Sequence, residues 1–566
     1  MSRYDQKQWL TSYAEGVPQT IETPTESLID MIDASVSKYR RSVALEFFGA
    51  STTYGELGDQ IARAAEGLRR LGVKKGDRVA IVLPNCPQHV IAFYATLRLG
   101  AIVIEHNPLY TVRELRHQFE DHGAKVAIVW DKVYDTVADF PSDLRLDRLI
   151  SVNLTTEFPL LKRLALSLPI PAVKKKRDLL TEKPTARKVY EWDRLLDGRR
   201  ISARHPRPTV DDIALLQYTS GTTGHPKGAI LSHSNLRANA AQGQAWVPGL
   251  RKGKEVFYGV LPLFHAYGLT LCLTFAMSMG AKLVLFPKFD VDLVLGALKK
   301  SPPTFLPAVP PIYDALARAS ENRKADLSSI RFAISGAMSL PVATVARWEK
   351  ETGGLLVEGY GMTESSPVAL GNPIGPTRRP GTVGVPFPST EIRVVDPADP
   401  FVDRPEGESG ELLIRGPQVF QGYWRRASDT AATLLPGGWL RTGDIVTVSP
   451  DGFVTVIDRL KEIIITGGFN VSPSEVEDAM MAHAAVAEVA VVGLPREVGD
   501  EEVCAAVVVR DGHSVDPQDL RAFLRTNLAA YKVPRRIEIV DTLPRSLIGK
   551  VLRREVRDAM LAKRNS

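Results

Sequence analysis

The sequence predicts an α/β protein with a β-rich stretch and a small α+β domain near its C-terminal end. Three observations carry this. Short apolar runs alternate with helical patterns from residue 78 to 360, which reads as parallel sheets covered on both faces. Gly and Pro crowd the stretch 380–457, where the strand-like runs are short. After Asp458 strands and helices alternate again, over enough residues for an independent small domain.

The elements follow in order. Arg78–Leu83 is an apolar strand closed by Pro84 and Asn85, and a helical pattern runs from Pro87 to Leu99, ended by Gly100. Further strands are expected at Val126–Trp130, Ile213–Leu216, Lys282–Phe286, Thr304–Val309, Arg331–Ile334 and Gly354–Val357. Val256–Ala281 holds no Asp, Glu, Lys or Arg and is long enough to cross a bilayer. Gly259, Pro262, His265 and Gly268 interrupt it, so a strand, a loop and a buried helix fit better. Glu391–Val395 and Glu411–Arg415 are strands of the β-rich stretch. Ser472-Pro473-Ser474-Glu475 reads as a helix start, with Glu475 placed to complete a capping box. Strands at Ala487–Val492, Val503–Val509 and Arg536–Val540 follow, with helices near Pro517–Leu528 and after Val551.

Composition narrows the function classes. The chain has 566 residues, 44% hydrophobic and 24% charged, so disorder is excluded as its main state. A net charge of +6 over this length does not make nucleic acid the main partner. The three cysteines, Cys86, Cys272 and Cys504, lie far apart without CxxC or metal-ligand spacing, and their odd count disfavours a disulfide framework, which suits a reducing, cytoplasmic compartment. Met1–Gly16 carries Arg3, Asp5, Lys7 and Glu15 and has no apolar run of signal-peptide length.

One segment is chemically sharper than the rest. Tyr218-Thr219-Ser220-Gly221-Thr222-Thr223-Gly224-His225-Pro226-Lys227-Gly228 leaves the strand at Ile213–Gln217. Its glycines let backbone approach a bulky anion, while its hydroxyls, Lys227 and exposed N–H groups supply donors. It is not a Walker A loop: counting from Gly221, Pro226 stands where the second glycine belongs.

Six further segments are ambiguous alone. His265, in Pro262–Gly268, reads as a core histidine, and Ser335-Gly336-Ala337-Met338 as a strand and turn. Glu358-Gly359-Tyr360-Gly361-Met362-Thr363-Glu364 fits a crevice at the carboxyl ends of strands or a tight turn. Thr442-Gly443-Asp444 reads as an ordinary turn, and Asp458–Glu462 as a linker with a hinge. In Pro544–Arg554, Lys550 reads as a solvated charge.

Taken together, in this order and at this spacing, these segments resemble the motifs of the adenylate-forming superfamily of acyl-CoA synthetases, luciferases and peptide adenylation domains. The chain looks most like bacterial long-chain fatty-acid–CoA ligases, over nearly its whole length and least at Thr155–Arg204. The resemblance implies an N-terminal domain, 1–458, of two α/β sheet subdomains plus a β-rich subdomain, and a mobile α+β lid, 459–566.

It also implies site residues. Thr219, Ser220, Gly221, Thr222, Thr223, Gly224 and Lys227 would cradle the phosphates of ATP. Gly336 and Ala337 would lie against adenine, with Tyr360 stacked on it, among Glu358, Gly359, Gly361 and Met362. Thr363 would contact the α-phosphate, Glu364 and Thr219 would hold Mg²⁺, and His265 would lie beside the carboxylate to be activated. Asp444 would accept the ribose hydroxyls, Arg459 and Lys461 would serve the nucleotide and the hinge, and Gly467 and Gly468 would line the path of CoA. Lys550 would be the mobile lysine of adenylation. The chain departs from many relatives at Ile465 and Asn470, so contacts there are not carried over.

The substrate follows from the pocket segments. Phe264–Thr270 holds no acid to pair with an α-ammonium, which disfavours amino acids. Gly268–Met279 and Phe305–Tyr313 are strongly apolar, which favours an alkyl chain and hence a fatty acid. The expected reaction is formation of acyl-AMP and pyrophosphate, then transfer to CoA. The alternative is a fatty acyl-AMP ligase that loads an acyl carrier protein. Leu160–Arg177 interleaves leucines with Lys162, Arg163, Lys174, Lys175, Lys176 and Arg177, a composition suited to an anionic membrane surface or to a solvated basic loop.

Overall fold

The computed structural model describes residues 3–144, 146–186, 188–219, 226–466, 469–496, 501–546 and 549–565. The chain forms two compact units: Trp9–Glu391 with Ile414–Leu440, and Met1–Gln8 with Ile392–Leu413 and Arg441–Ser566.

The larger unit is built on two sheets. In the first, the order is Tyr190–Glu191, Arg148–Val152, Val126–Trp130, Arg78–Val82, Ile102–Glu105, Ile213–Thr219 and Lys227–Ser232, all pairing in parallel except the last two. The continuous apolar runs arise because both faces are covered. The helix Pro87–Arg98 on one face is buried at every residue.

The second sheet has the order Val385–Pro386, Val368–Gly371, Leu355–Gly361, Phe332–Ser335, Phe305–Ala308, Val256–Gly259, Lys282–Leu285, Val43–Phe47 and Ala50–Thr53. An inner strand, Val256–Gly259, is parallel to Lys282–Leu285 on one side and Phe305–Ala308 on the other. The chain therefore reverses its winding direction there, which opens a crevice at the carboxyl end of that strand. The loop leaving it carries His265. Asn85 braces this loop, donating to the Gly259 and Leu261 carbonyls at 2.9 and 2.8 Å and accepting from the Leu263 N–H at 2.8 Å.

The charge-free run is a strand, a loop and a buried helix, as expected. After Ala266–Gly268 the helix widens into a π-helical stretch, Leu269–Thr274, before Phe275–Ser278. Among the described residues no helix is long and apolar enough to cross a membrane. Leu160–Leu166 and Pro171–Asp178 form two short helices with no buried residue.

The second unit holds most of a five-stranded sheet and a terminal α+β part. The first sheet uses Glu391–Val395, Gly410–Arg415, Leu434–Leu435, Trp439–Val448 and Val454–Arg459. The terminal part has Val486–Pro495, Glu501–Val509 and Arg536–Ile539 in one sheet. Alternation places Val491, Val503, Ala505 and Val507 against the helices Pro473–Met481 and Pro517–Arg525. Ala490, Val492, Leu494 and Cys504 face the helix Arg553–Asn565 instead.

The expected capping box is half formed. Ser472 accepts the Glu475 N–H at 3.2 Å, but the Glu475 carboxylate turns to Lys532 at 2.5 and 2.7 Å. Asp458 takes over at this helix start, accepting the Ser472 hydroxyl at 2.7 Å and the Ser474 N–H at 2.9 Å. All three cysteines are buried thiols.

Candidate active site

The carboxyl ends of three parallel strands of the second sheet, Val256–Gly259, Phe332–Ser335 and Leu355–Gly361, define one pocket. Strand ends and loops deliver His265, Ala266 and Tyr267, then Gly336 and Ala337, then Glu358 to Thr363. The space amounts to about 740 Å³ including its open mouth, within the range of small-molecule sites. Tyr267 is fixed across the strands by donating its hydroxyl hydrogen to the Ile334 carbonyl at 2.6 Å. A side chain at Gly361 would place its Cβ 1.9 Å from the Pro367 carbonyl oxygen, so only glycine fits that close approach.

Two titratable groups in the pocket are shifted by burial. The His265 imidazole is held below its ordinary value, and its Nδ1 has no hydrogen-bond partner among the described residues. The Glu358 carboxyl is pushed up to about 8 by burial, although the Leu340 N–H donates to it. It is therefore mostly protonated at neutral pH.

The rim next to this pocket is built from three segments distant in sequence. Thr219 and Lys227 face each other across an antiparallel pair, at the root of the sequence-predicted phosphate loop. Ser220, Gly221, Thr222, Thr223 and Gly224 lie outside the described residues. The Lys227 ammonium pairs with Asp429 and lies 5.2 Å from the Tyr423 ring centre. Tyr423 donates its hydroxyl hydrogen to Glu364. The backbone agrees: Phe420 donates to the Glu364 carbonyl at 2.8 Å, and Trp424 to the Gly228 carbonyl at 2.8 Å. Thus Thr219, Lys227 and Glu364 meet at one place.

Behind this root lies a buried histidine pair. Tyr218 donates to Asp121 at 2.6 Å, and its ring lies 6.2 and 6.0 Å from those of His106 and His122. His122 Nδ1 accepts the Ala124 N–H, so its Nε2 carries the hydrogen and donates to His106 Nε2 at 3.1 Å. His106 Nδ1 then donates to Gln118 at 2.6 Å. Burial lowers both rings, His106 to about 4.

In the second unit Asp444, Arg459 and Lys550 come together. Thr442-Gly443-Asp444 is not a turn: it lies inside the strand Trp439–Val448. Gly443 has φ +71° within the strand, and Glu411 holds this irregularity by accepting the Gly443 N–H at 3.1 Å. Asp444 is directly opposite Arg459 on the neighbouring strand, with Nε to Oδ1 at 3.2 Å. Lys550 is not a solvated charge. Burial lowers its ammonium to about 8, with Arg459 repelling it and Glu462 and Asp444 favouring its charge. Ser546 braces it through its backbone, donating N–H to the Lys550 carbonyl at 2.8 Å. Lys461 is exposed, and Gly467 and Gly468 lie outside the described residues.

Three residues were missed by sequence reasoning. Tyr423 and Asp429 touch Glu364 and Lys227, and the only local signal was the Tyr423-Trp424 aromatic pair after Gly422. The third, Arg553, binds Glu462, Asp458, Glu477 and Ser474 around the expected hinge.

Known proteins match both the sequence and this architecture. The model of the AMP-binding enzyme family matches residues 32–424, and that of the AMP-binding enzyme C-terminal domain matches 475–550. A protein of Bacillus subtilis strain 168 named long-chain-fatty-acid–CoA ligase is 37% identical over 558 residues, 97% of this chain and 98% of that one. The crystal structure of ATP-bound MatB from Rhodopseudomonas palustris aligns with TM-score 0.80 and 28% identity, over 94% of this chain and 98% of that one. The anthranilate CoA ligase AuaEII in complex with anthranoyl-AMP aligns with TM-score 0.82 and 26% identity, over 96% and 99%. Fold, strand-end pocket and full-length likeness agree, and the chain belongs to the AMP-binding, adenylate-forming enzyme family.

Proposed function

We propose that the chain converts a fatty acid and ATP to acyl-AMP and pyrophosphate, then transfers the acyl group to CoA, releasing AMP. The observation that carries this is the meeting of Thr219, Lys227 and Glu364 beside an apolar pocket lined by His265 and Tyr360. The name of the B. subtilis relative supports the acyl substrate and the acceptor, and the ATP-bound neighbour supports the nucleotide.

The roles divide by chemistry. The apolar pocket takes the alkyl chain, and His265 Nδ1, without a partner among the described residues, is a polar atom for the carboxylate end. Tyr360 and the Gly336-Ala337 turn would hold adenine, Thr363 the α-phosphate, and Asp444 the ribose hydroxyls. Lys227 and Lys550 would offset negative charge that builds as the carboxylate attacks the α-phosphorus. The residues fit Mg²⁺: Glu364 and Thr219 offer hard oxygens, and no cluster of three or more His, Cys, Asp or Glu competes among the described residues. When bound, Mg²⁺ neutralises phosphate charge; Glu364, oriented by Tyr423, would hold it. The segment from 459 onward would then pivot as a lid, withdrawing Lys550 and admitting CoA past Gly467 and Gly468.

The finer partners are part of the same reading. An acyl carrier protein is the alternative acceptor. Leu160, Leu161 and Leu164 are 68%, 80% and 57% exposed beside a Lys/Arg cluster, which supports peripheral contact with an anionic membrane on its cytoplasmic face. Flotation with anionic liposomes tests this; no binding at low salt would end it. The main test is ATP–pyrophosphate exchange across carboxylates of graded length, repeated with CoA and with carrier protein. Exchange driven by fatty acids and completed by CoA is expected; no nucleotide consumption with any fatty acid would overturn the reading.

A further inference from the structure

The far wall of the pocket is aromatic and braced from three directions. Trp246 and Phe387 stack with ring centres 4.6 Å apart, and both line the pocket. The Trp246 Nε1–H donates to the Asn372 carbonyl at 3.2 Å, fixing the indole. Tyr13, near the start of the chain, meets Trp246 edge-on at 5.2 Å and donates its hydroxyl hydrogen to the Pro386 carbonyl at 2.7 Å. Gly371 makes room for the pair: a Cβ there would lie 2.8 Å from the Phe387 ring and 3.3 Å from the indole nitrogen.

Gly243 stands one helical turn before Trp246 on the helix His233–Trp246 and lines the same pocket. The missing side chain leaves open space next to the Phe275 ring, since a Cβ would meet that ring at 3.7 Å, an ordinary contact. The helix itself is held, because Asn239 exchanges two hydrogen bonds with the Val368 backbone. A wall of locked rings and a gap left by glycine make a rigid boundary, and rigid boundaries discriminate by size.

We propose that the Trp246–Phe387 ring pair, with Gly243 beside it, forms the floor of the acyl pocket and sets the length of the acid accepted. Tyr13 acts through the two rings and is a positioning residue. This rests on reading the pocket as the acyl site. Shrinking the floor lengthens the space, and filling Gly243 shortens it.

The test is ATP–pyrophosphate exchange with saturated acids of increasing length, comparing wild type, Trp246→Phe and Gly243→Ala. Each methylene that gains or loses burial changes kcat/KM by roughly fourfold. Trp246→Phe is therefore expected to raise the ratio of kcat/KM for long over short acids by roughly tenfold, and Gly243→Ala to lower it by roughly fourfold. Gly243→Ala also favours the helix, so its folding is not at risk. Thermal unfolding and ATP protection of each variant report whether the fold is intact. If Trp246→Phe does not fold, the direction of the Gly243→Ala shift decides. Folded variants whose length profiles match the wild type overturn the proposal. Wild-type protein that activates no fatty acid overturns the acyl-site reading instead.

Discussion

The Tyr423 hydroxyl donates to a Glu364 carboxylate oxygen at 2.6 Å, across 59 residues of sequence. Tyr423 also presents its ring to Lys227, so one side chain orients both a carboxylate and an ammonium. Tyr423→Phe keeps the ring and removes the hydrogen bond. Adenylation is expected to fall by roughly tenfold or more, with a higher magnesium concentration needed for half-maximal exchange. Magnesium titration of pyrophosphate exchange checks it; an unchanged titration would detach Tyr423 from Glu364's role.

If Lys550 serves adenylation as proposed, that step should have an alkaline limb. Its ammonium, lowered to about 8 by burial and by Arg459, loses its charge as pH rises through that value. Pyrophosphate exchange should decline above about pH 8 in step with this group, while Lys550→Arg, charged throughout, should remove the limb. Lys550→Ala should lose exchange by roughly a hundredfold and spare thioester formation from supplied acyl adenylate. Equal loss in both half-reactions would refute the assignment.

The histidine pair behind Tyr218 makes the larger unit acid-sensitive. Both rings are neutral in the fold, with His106 lowered to about 4 against an ordinary value near 6.5. A histidine depressed in the folded state contributes stability that is full above about pH 6.5 and lost as pH falls toward its folded value. His106 alone would account for a loss on the order of 3 kcal/mol at the acid end. Melting temperature measured from pH 7.5 to 4.5 should fall less steeply in His106→Gln; a parallel fall in both proteins would assign the acid sensitivity elsewhere.

Arg553 ties Asp458, Glu462 and Glu477 into one cluster, with the Asp458 side chain 1% exposed. Arg553→Met keeps the stem and strands these acids without a cation. Denaturant unfolding of the C-terminal unit should shift by about 3 kcal/mol at pH 8, the lower end of what breaking a buried pair costs. The deficit should shrink as pH falls, because burial already raises the Glu477 carboxyl and it takes up a proton more readily once Arg553 is gone. A deficit independent of pH would point to lost packing instead.

Several strands of both large sheets were legible because burial on two faces leaves uninterrupted apolar runs such as Val126–Trp130, whereas Val43–Phe47, Ile102–Glu105 and Arg148–Val152 were not read as strands. Motif segments were legible as loops after such strands. What stayed hidden depended on pairing between distant residues. Asp444 looked like part of a turn because Gly443 adopts positive φ inside a strand, a feature stabilised by Glu411 from another strand. Glu475 looked like a cap partner because its spacing was right, yet Lys532 lies closer to its carboxylate in space. Lys550 looked solvated because nothing within Pro544–Arg554 reveals that Arg459 and Asp444 surround it. Tyr423 had no local pattern beyond the Tyr423-Trp424 aromatic pair, since its role exists only where Gln421–Trp424 runs beside Gly228–Ile230.

The burial of every thiol has a practical consequence. Cys86, Cys272 and Cys504 are enclosed, and burial raises each of them, Cys272 and Cys504 to about 12, so scarcely any thiolate exists to react with maleimides or methanethiosulfonates. A single cysteine engineered onto an outer helix would be the sole labelling position without first stripping the native ones. Fluorophore or spin-label pairs could then track, in real time, whatever rearrangement accompanies turnover.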